Sequence, residues 1–284
     1  MNTALDLTHL RQWIGREVGA EDVLTLALAL RFHATLGLAG NSSQAGEVAP
    51  QLIHFCLCQP AAPTANLGED GHPARGGFLP PVPLPRRMWA ASQIEFHHEL
   101  RVGDTVRRTS RIADVTTKSG RSGTLCFVAV DHELAVDGAA VISERQTIVY
   151  RDAPKAGPLP VAAPEPAAAG AVIETIDASS TLLFRYSALT FNAHRIHYDR
   201  TYSTGAEGYP GLVVHGPLQA SLLIQLATRC RGGRPPRHFA FRGAAPAFEG
   251  RPLSLHAATS SEERLELWTA QGNGPVSMLA TAHW

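Results

Sequence analysis

The sequence predicts an α+β fold of two similar units, because the same order of apolar helix and β-rich runs occurs twice along its 284 residues. A second observation is a Pro- and Ala-rich stretch between the two copies, a composition typical of a semi-extended linker. We therefore predict a first unit at 1–150, a linker at 151–170 and a second unit at 171–284.

The first unit is predicted to begin with a buried helix from Glu21 to Leu36, since this run is apolar and lacks proline and glycine. Gly37 is suited to end it, because glycine readily adopts the left-handed conformation that follows many helices. Four β-rich runs then predict an antiparallel meander. These runs are Ile94–Leu100, Thr105–Val115, Leu125–Val130 and Val141–Tyr150.

The second unit repeats this order with a strand-like run at Leu182–Ser187 and an apolar helix at Pro217–Cys230. Four further β-rich runs complete it: Phe239–Arg242, Leu253–Thr259, Leu265–Ala270 and Val276–Ala282.

The two units differ where the central helix is expected. The helical start Pro217–Leu223 corresponds in our alignment to Gly77–Pro85 of the first unit, which holds four prolines. Prolines at that density forbid a continuous helix. We therefore expect a central helix that is lost or shortened in the first unit, leaving room for a bulky ligand.

Composition excludes several classes of protein. The 25 basic and 25 acidic residues balance, which argues against general nucleic-acid binding. No apolar run is long enough to cross a membrane and no signal peptide is evident, so we predict a cytoplasmic protein without membrane partners. The four scattered cysteines predict free thiols rather than bridges or a zinc site.

Polar and ionisable residues concentrate between Arg185 and Arg200 and again between Tyr209 and Pro217. Pro217 suits the first position of a helix, where free backbone N–H groups can bind an oxygen that gains negative charge. Gly-rich phosphate loops and a G-x-S-x-G elbow are absent from the sequence, which disfavours nucleotide cofactors and serine hydrolysis.

This segment resembles the hydratase motif of MaoC-like and type 2 hydroxyacyl-thioester dehydratases through the run RYSALTFNAHRIHYD, residues 185–199. The run is especially similar to the branch that acts on mesaconyl-C4-CoA and itaconyl-CoA. The similarity extends along nearly the whole chain, through Trp13–Arg16, Asp70–Pro73, Gly76–Pro81, Pro85–Trp89, Gly120–Gly123 and Val214–Gln219. It implies a double hotdog, two helix-wrapped antiparallel sheets in one chain, with the central helix reduced in the N-terminal half.

The resemblance implies a hydro-lyase that adds water reversibly to the α,β double bond of a short dicarboxylic acyl-CoA, without metal or other cofactor. Its catalytic pair falls on Asn192 and His197, and the Gly216 N–H forms the oxyanion hole. Many MaoC-like hydratases have aspartate where this chain has Asn192. An amide cannot accept a proton at neutral pH, so His197 is expected to carry it.

Five further residues are candidate substrate contacts, and each has a competing structural interpretation. Aromatic and histidine side chains beside a strand or helix often only pack, and surface arginines are usually solvated. These candidates are Tyr186, Arg185, Arg195, Asp199 and His215. A metal held by His194 and His197 is disfavoured, because two histidines in a short turn without cysteine ligands nearby are usually a coincidence.

Two other functions remain open. One is a 3-hydroxyacyl-thioester dehydratase for longer acyl-CoA or acyl carrier protein substrates, which the expected extra room favours. The other is a non-catalytic acyl-thioester-binding protein, suggested by asparagine in place of aspartate. A thioesterase could share the fold, and the sequence does not decide whether two chains pair into a homodimer.

Overall fold

The protein was analysed as a computed structural model, which describes residues 5–38, 44–120, 123–152 and 165–284. The strands in these segments join into one antiparallel sheet. They are β1 (Glu17–Val23), β2 (Arg86–Phe96), β3 (Thr105–Gly120), β4 (Gly123–Val136), β5 (Ala139–Arg151), β6 (Val172–Asp177), β7 (His238–Gly243), β8 (Pro252–Ser261), β9 (Arg264–Ala270) and β10 (Val276–His283).

The helices lie between these strands in two corresponding groups. The α-helices are α1 (Leu7–Leu10), α2 (Leu26–Leu36), α3 (Ser180–Leu189), α4 (Arg200–Gly205) and α5 (Gly216–Cys230). Short 3₁₀ turns are Arg11–Trp13, Ile53–Cys56, Thr64–Asn66 and Arg195–His197. None of the helices in the described segments combines the length and apolar character needed to cross a membrane.

The sheet confirms the predicted duplication. Its strand order is β1-β3-β4-β5-β2-β7-β10-β9-β8-β6, so the second half is the first half in reverse. The halves meet where β2 pairs antiparallel with β7, with Ala91 opposite Arg242 and Glu95 opposite His238. The predicted linker falls largely on 153–164, which lie outside the described residues.

The predicted start of the first helix at Glu21 is wrong, because Glu21–Val23 belongs to β1 and pairs with β3. Helix α2 begins at Leu26, where the Thr25 hydroxyl accepts a hydrogen bond from the Leu28 N–H at 3.2 Å. The predicted end is confirmed, since Gly37 is left-handed with φ 63° and follows the last helical residue.

The predicted strand at Leu182–Ser187 is also wrong, because these residues form part of helix α3. Leu183, Tyr186 and Ser187 are buried and Phe184 and Arg185 are exposed, which is a helical period rather than an alternation. The Ser179 hydroxyl caps the helix by accepting from the Leu182 N–H.

The second unit wraps its strands around α5, as predicted. This helix contributes buried residues on nearly all sides and packs on β8, β9 and β10. In the first unit, no helix spans 78–90 among the described residues, which agrees with the expected loss. The turn Ile53–Cys56 stands between α2 and β2 as α5 stands between α3 and β7. Leu52, Ile53 and Leu57 at this turn are fully buried.

Candidate active site

The polar segment forms a compact turn between α3 and α5. Phe191 takes a left-handed conformation with φ 49°, which turns the chain back after α3. The Asn192 N–H then donates to the Ser187 carbonyl at 2.8 Å. His197 follows at the end of the 3₁₀ turn Arg195–His197. The chain therefore brings Asn192 and His197 into one short turn beside the C-terminal end of α3.

His197 is held in one tautomer by the backbone. Its Nδ1 lies 2.7 Å from the Val213 carbonyl oxygen, which can only accept a hydrogen bond. The proton therefore resides on Nδ1, and Nε2 keeps a free lone pair. The ring is only 8% exposed, and this burial lowers the pKa of His197 to about 4. At neutral pH the imidazole is uncharged and Nε2 can accept a proton.

His215 forms a second layer behind this base. Its ring stacks on the His197 ring with centroids 3.7 Å apart and planes 19° apart. Its Nε2 is 2.8 Å from the Ser187 hydroxyl, whereas its buried Nδ1 has no hydrogen-bond partner among the described residues. Burial and the neighbouring His197 lower the pKa of His215 far below its usual value. The ring fixes the position of His197 from behind.

Asn192 presents an amide that is only partly engaged. Its Oδ1 accepts a hydrogen bond from the His194 N–H at 3.0 Å. A carbonyl oxygen has two lone pairs and the amide nitrogen has two hydrogens, so groups remain to bind a water molecule. Asn192 is half-buried, which leaves its amide open to a ligand.

Gly216 begins α5 directly after His215. The first N–H groups of any α-helix lack intrahelical acceptors, and here the N-cap side chain supplies none. A Cβ added at Gly216 would lie 3.5 Å from the Met278 methyl carbon and 3.9 Å from the Trp89 carbonyl oxygen. The helix start therefore lies between β2 and β10 at the junction of the two units, with donors free for an anionic oxygen.

A loop of the first unit completes the cluster, and the sequence did not indicate this contact. The His194 ring lies between His197, at 5.3 Å, and His72, at 4.2 Å between centroids. His72 Nδ1 lies 2.9 Å from the Asp70 carboxylate. Burial acts to raise the pKa of Asp70, but the hydrogen bonds and charge of His72 together with the Arg87 charge lower it to about 2. Asp70–Pro73 contributed to the family resemblance without any assigned role.

The loop approaches so closely that Gly71 is required. It has φ 86°, and a Cβ there would lie 1.8 Å from the Ala193 carbonyl oxygen. The adjacent Asp70 carbonyl accepts a hydrogen bond from the Arg195 N–H at 2.9 Å. Asp70 and Arg195, which are 125 positions apart in the chain, are thus joined backbone to backbone, which no local pattern could predict.

Asp70, His72 and His194 each offer one potential metal-ligand atom, and these atoms lie within 4.8 Å of one another. The fold therefore brings a carboxylate and a further histidine to His194 from a distant part of the chain. Asp70 and His72 already satisfy each other by hydrogen bonding. The Arg87 guanidinium is close enough to lower the pKa of His72 and His194, and this positive charge opposes a second cation.

Two predicted substrate contacts, Arg195 and Asp199, hold the loop itself. The Arg195 guanidinium donates to Asp199 Oδ2 at 3.0 and 2.7 Å and to the Glu69 carbonyl at 3.0 Å. The other Asp199 oxygen accepts from the Tyr202 N–H and caps α4. Their predicted roles toward substrate remain predictions.

The remaining two predicted contacts differ in burial. Tyr186 is 1% exposed, with its hydroxyl 3.4 Å from that of Ser221 and its ring 5.1 Å from the His215 ring, so it packs behind the histidines. Arg185 is exposed on α3, and within the part of the chain that the structure describes no hydrogen bond or ring contact joins it to the histidine cluster.

Two adjacent arginines near the site were not predicted from the sequence as functional residues. Arg86 and Arg87 begin β2, and both are more than nine-tenths buried. They line a cleft together with Asp70 and His194. Both arginines lie in the run Pro85–Trp89, which contributed to the family resemblance. Arginines are common at protein surfaces, so the sequence did not distinguish these two, and only their buried position in the fold does.

The duplicated sheet with its central helix is that of a double hotdog, and the turn with Asn192 and His197 carries the motif of the acyl-thioester dehydratases and hydratases that the sequence resembles. Residues 51–249 match the model of the family described as hydroxyacyl-thioester dehydratase type 2, and the chain belongs to this family.

The chain is 45% identical over 269 residues to a mesaconyl-C(4)-CoA hydratase of Chloroflexus aurantiacus, a match covering 95% of each protein. It also resembles the crystal structure of HtdX of Mycobacterium tuberculosis, with TM-score 0.67, 18% identity and coverage of 94% of this chain and 98% of that one. A second protein of that organism, described as a double hotdog, matches with TM-score 0.57 and 14% identity over 95% of this chain and 96% of the other. The double-hotdog prediction is confirmed.

Proposed function

We propose that this protein is an enoyl-CoA hydratase that adds water reversibly to the α,β double bond of a short dicarboxylic acyl-CoA, such as mesaconyl-C4-CoA or itaconyl-CoA. The observation that carries this proposal is the neutral His197, whose Nε2 is left free by the Nδ1 contact to Val213. Identity of 45% to a mesaconyl-C(4)-CoA hydratase along nearly the whole chain supports the substrate class.

In the proposed reaction, His197 Nε2 takes a proton from a water molecule that the Asn192 amide orients. The water oxygen forms a bond to the β carbon of the thioester, and the π electrons of the double bond move toward the carbonyl oxygen. Because His197 is neutral before this step, it acts as a general base without losing a proton first.

The start of α5 stabilises the enolate that results. The Gly216 N–H donates to the thioester oxygen as its negative charge develops, and one such donor typically contributes about 3 kcal/mol to the transition state. The His197 imidazolium then returns its proton to the α carbon on the same face. The elements of water are thus added syn, and the same groups in reverse order catalyse dehydration.

Several other roles belong to the same proposal. The thioester is carried on coenzyme A, and the first unit accommodates part of it. Arg185 and Arg195 are candidates for its phosphate or carboxylate groups, while Tyr186, Asp199 and His215 shape the pocket. A cytoplasmic location and pairing of two chains into a homodimer remain predictions.

The test is the loss of enoyl-thioester absorbance, with product mass, for mesaconyl-C4-CoA and itaconyl-CoA. Wild-type protein is expected to hydrate at least one of them, and His197→Ala to lose about a hundredfold or more in kcat/KM, the usual scale for a general base. Equal rates in both proteins would remove His197 from the mechanism. A chain that binds these thioesters without turnover would be a non-catalytic binding protein.

A second candidate is a 3-hydroxyacyl-thioester dehydratase for longer acyl-CoA or acyl carrier protein substrates. The family assignment and the missing central helix of the first unit favour it. Enoyl thioesters of increasing chain length distinguish the two candidates, because a preference that rises with length supports the dehydratase and a preference for short dicarboxylic esters supports the hydratase.

A further inference from the structure

Arg87 is a buried arginine whose guanidinium makes no salt bridge with a carboxylate among the described residues. Its side chain is 8% exposed, and its Nε has no hydrogen-bond partner among the described residues. The one protein acceptor found for its guanidinium in that part of the chain is the Pro73 carbonyl, at a long 3.4 Å from Nη2. An unpaired buried charge is unfavourable, so a residue of this kind calls for a specific partner.

The neighbouring Arg86 is equally buried but, unlike Arg87, forms a salt bridge. Arg86 Nε lies 2.7 Å from a Glu207 carboxylate oxygen, and its guanidinium lies over the Tyr209 ring. Glu207 and Asp70 both line the cleft that contains Arg87. Glu207 forms its salt bridge with Arg86 and Asp70 accepts hydrogen bonds from His72, so neither carboxylate makes a salt bridge with Arg87, although the charges of Asp70 and Arg87 are near enough to interact.

A second unpartnered group lies directly opposite. Tyr150 of β5 is paired with Arg87 of β2 in the antiparallel ladder, and paired residues project from the same face of a sheet. The Tyr150 side chain is completely buried, and its hydroxyl has no hydrogen-bond partner in the described structure. Burial raises the pKa of this hydroxyl, while the Arg87 charge and a contact of its guanidinium with the hydroxyl act to lower it, so the two groups lie side by side. A guanidinium and a neutral hydroxyl donor therefore share one unsatisfied site.

This site adjoins the proposed catalytic cluster. Pro73, which Arg87 contacts, directly follows His72, and the His72 ring lies against that of His194. His194 in turn contacts His197. Arg87 and His194 also line the same cleft. These contacts link the surroundings of Arg87 to His197 through the His72 and His194 rings.

We infer that Arg87 and the Tyr150 hydroxyl form the subsite for the free carboxylate of a dicarboxylic acyl thioester. This inference rests on the proposed function and names the residues that select its substrate class. The planar guanidinium matches a carboxylate through two parallel hydrogen bonds, and the tyrosine hydroxyl supplies a third donor. A neutral acyl chain would leave both groups unsatisfied, so the subsite also discriminates against monocarboxylic thioesters.

The test compares equilibrium binding of two saturated thioesters that cannot be hydrated, succinyl-CoA and butyryl-CoA, by isothermal titration calorimetry. Wild-type protein is expected to bind succinyl-CoA about tenfold to a hundredfold more tightly, the range for hydrogen bonds to charged groups. Arg87→Met should abolish this preference and leave butyryl-CoA binding within about threefold of wild type. Tyr150→Phe, which removes only the hydroxyl, should reduce the preference by roughly fivefold to tenfold.

Two controls separate this role from a structural one. Arg107→Met removes an exposed arginine of β3 and should leave the preference intact, which excludes a general charge effect on coenzyme A. Arg87→Met should not lower the melting temperature, because it replaces an uncompensated buried charge by an apolar chain of similar length. A lower melting temperature together with equal losses for both thioesters would make Arg87 a structural residue and overturn the inference.

The outcomes keep this inference separate from the proposed function, since the ligands do not react. Equal binding of both thioesters by the wild type overturns the subsite, whatever the enzyme hydrates. A preference for succinyl-CoA that depends on Arg87 supports the subsite, even if the hydration assay with mesaconyl-C4-CoA fails and the proposed reaction with it.

Discussion

The two units have the same strand order but use the space between the first helix and the next strand differently. The second unit fills it with the fifteen-residue helix α5, whose start lies beside His197. In the described part of this interval, the first unit has the short 3₁₀ turns Ile53–Cys56 and Thr64–Asn66 and a long loop that leads to β2. That loop carries Asp70 and His72 across to the second unit. The unit that lost its helix thus supplies a wall of the site, and neither unit forms the site by itself.

The largest expected effect tests this loop docking. Gly71→Ala places a Cβ 1.8 Å from the Ala193 carbonyl oxygen and must displace the loop. Since displacements of about 1 Å can reduce rates by about a hundredfold, we expect at least that loss in kcat/KM.

Gly46→Ala is the matched control for backbone strain. Gly46 has φ 83°, close to the 86° of Gly71, but an added Cβ there meets nothing within 4 Å. It should cost about 1 kcal/mol in the free energy of unfolding and leave hydration unchanged. If both variants retained wild-type activity, the docking of the two units would not matter for the site.

The second largest effect is expected in the pH dependence of kcat/KM. Burial holds the pKa of His197 at about 4, so the base form persists well below neutral pH. We expect a constant kcat/KM from about pH 8 to 5.5 and a fall of about tenfold per pH unit below about 4. A rate that already declines near pH 6.5, the value of an exposed histidine, would contradict the buried neutral base.

The free energy of unfolding should also depend on pH through His197. An unfolded chain protonates His197 below about pH 6.5, whereas the folded protein does so only near pH 4. Stability is therefore fully present above pH 6.5 and falls as pH drops toward 4, by about 3 kcal/mol for this residue. Urea unfolding at pH 7 and pH 4.5 measures the sum of this and the other buried histidines, and unchanged stability would contradict the assigned neutrality.

A smaller effect is expected when the hydrogen bond between Ser187 and His215 is removed behind His197. Ser187→Ala removes the hydroxyl partner of His215 and leaves both nitrogens of a buried ring unsatisfied. We expect about 1–3 kcal/mol of destabilisation, with a reduction of kcat/KM because His215 supports the His197 ring.

Ser203→Ala is the control, since Ser203 is equally buried and donates to the Gly211 carbonyl at 2.8 Å away from the rings. It should lower stability without lowering kcat/KM. Equal kinetic losses in both variants would show that His215 has no special supporting role.

The smallest effects concern the equivalent helices α2 and α3. Thr25 and Ser179 cap them by accepting from Leu28 and Leu182 N–H at 3.2 and 3.3 Å. Alanine at either position should cost about 1 kcal/mol in unfolding free energy. A clearly larger loss for Ser179→Ala, measured by urea unfolding, would show that α3 depends more on its cap than α2 does.

The sequence by itself determined the repeated meander, helix α5 with Pro217 in its first turn and the turn that carries Asn192 and His197. These features depend on neighbours within a few residues, through hydrophobic period, proline geometry and motif spacing. The predicted strand at Leu182–Ser187 failed because a short apolar run fits a helix as well as a strand until its burial is known. The helix predicted to start at Glu21 was wrong for Glu21–Val23, because the pairing of these residues with β3 outweighs their local helical preference.

Only the tertiary structure decided which groups meet. The Val213 carbonyl fixes the tautomer of His197, and the Gly71 approach brings Asp70 and His72 to His194. The β2–β5 pairing sets Arg87 opposite Tyr150. Each contact joins different segments of the chain, and its effect depends on burial, because desolvation is the largest cause of the lowered pKa values of the histidines and makes an anionic partner for Arg87 favourable.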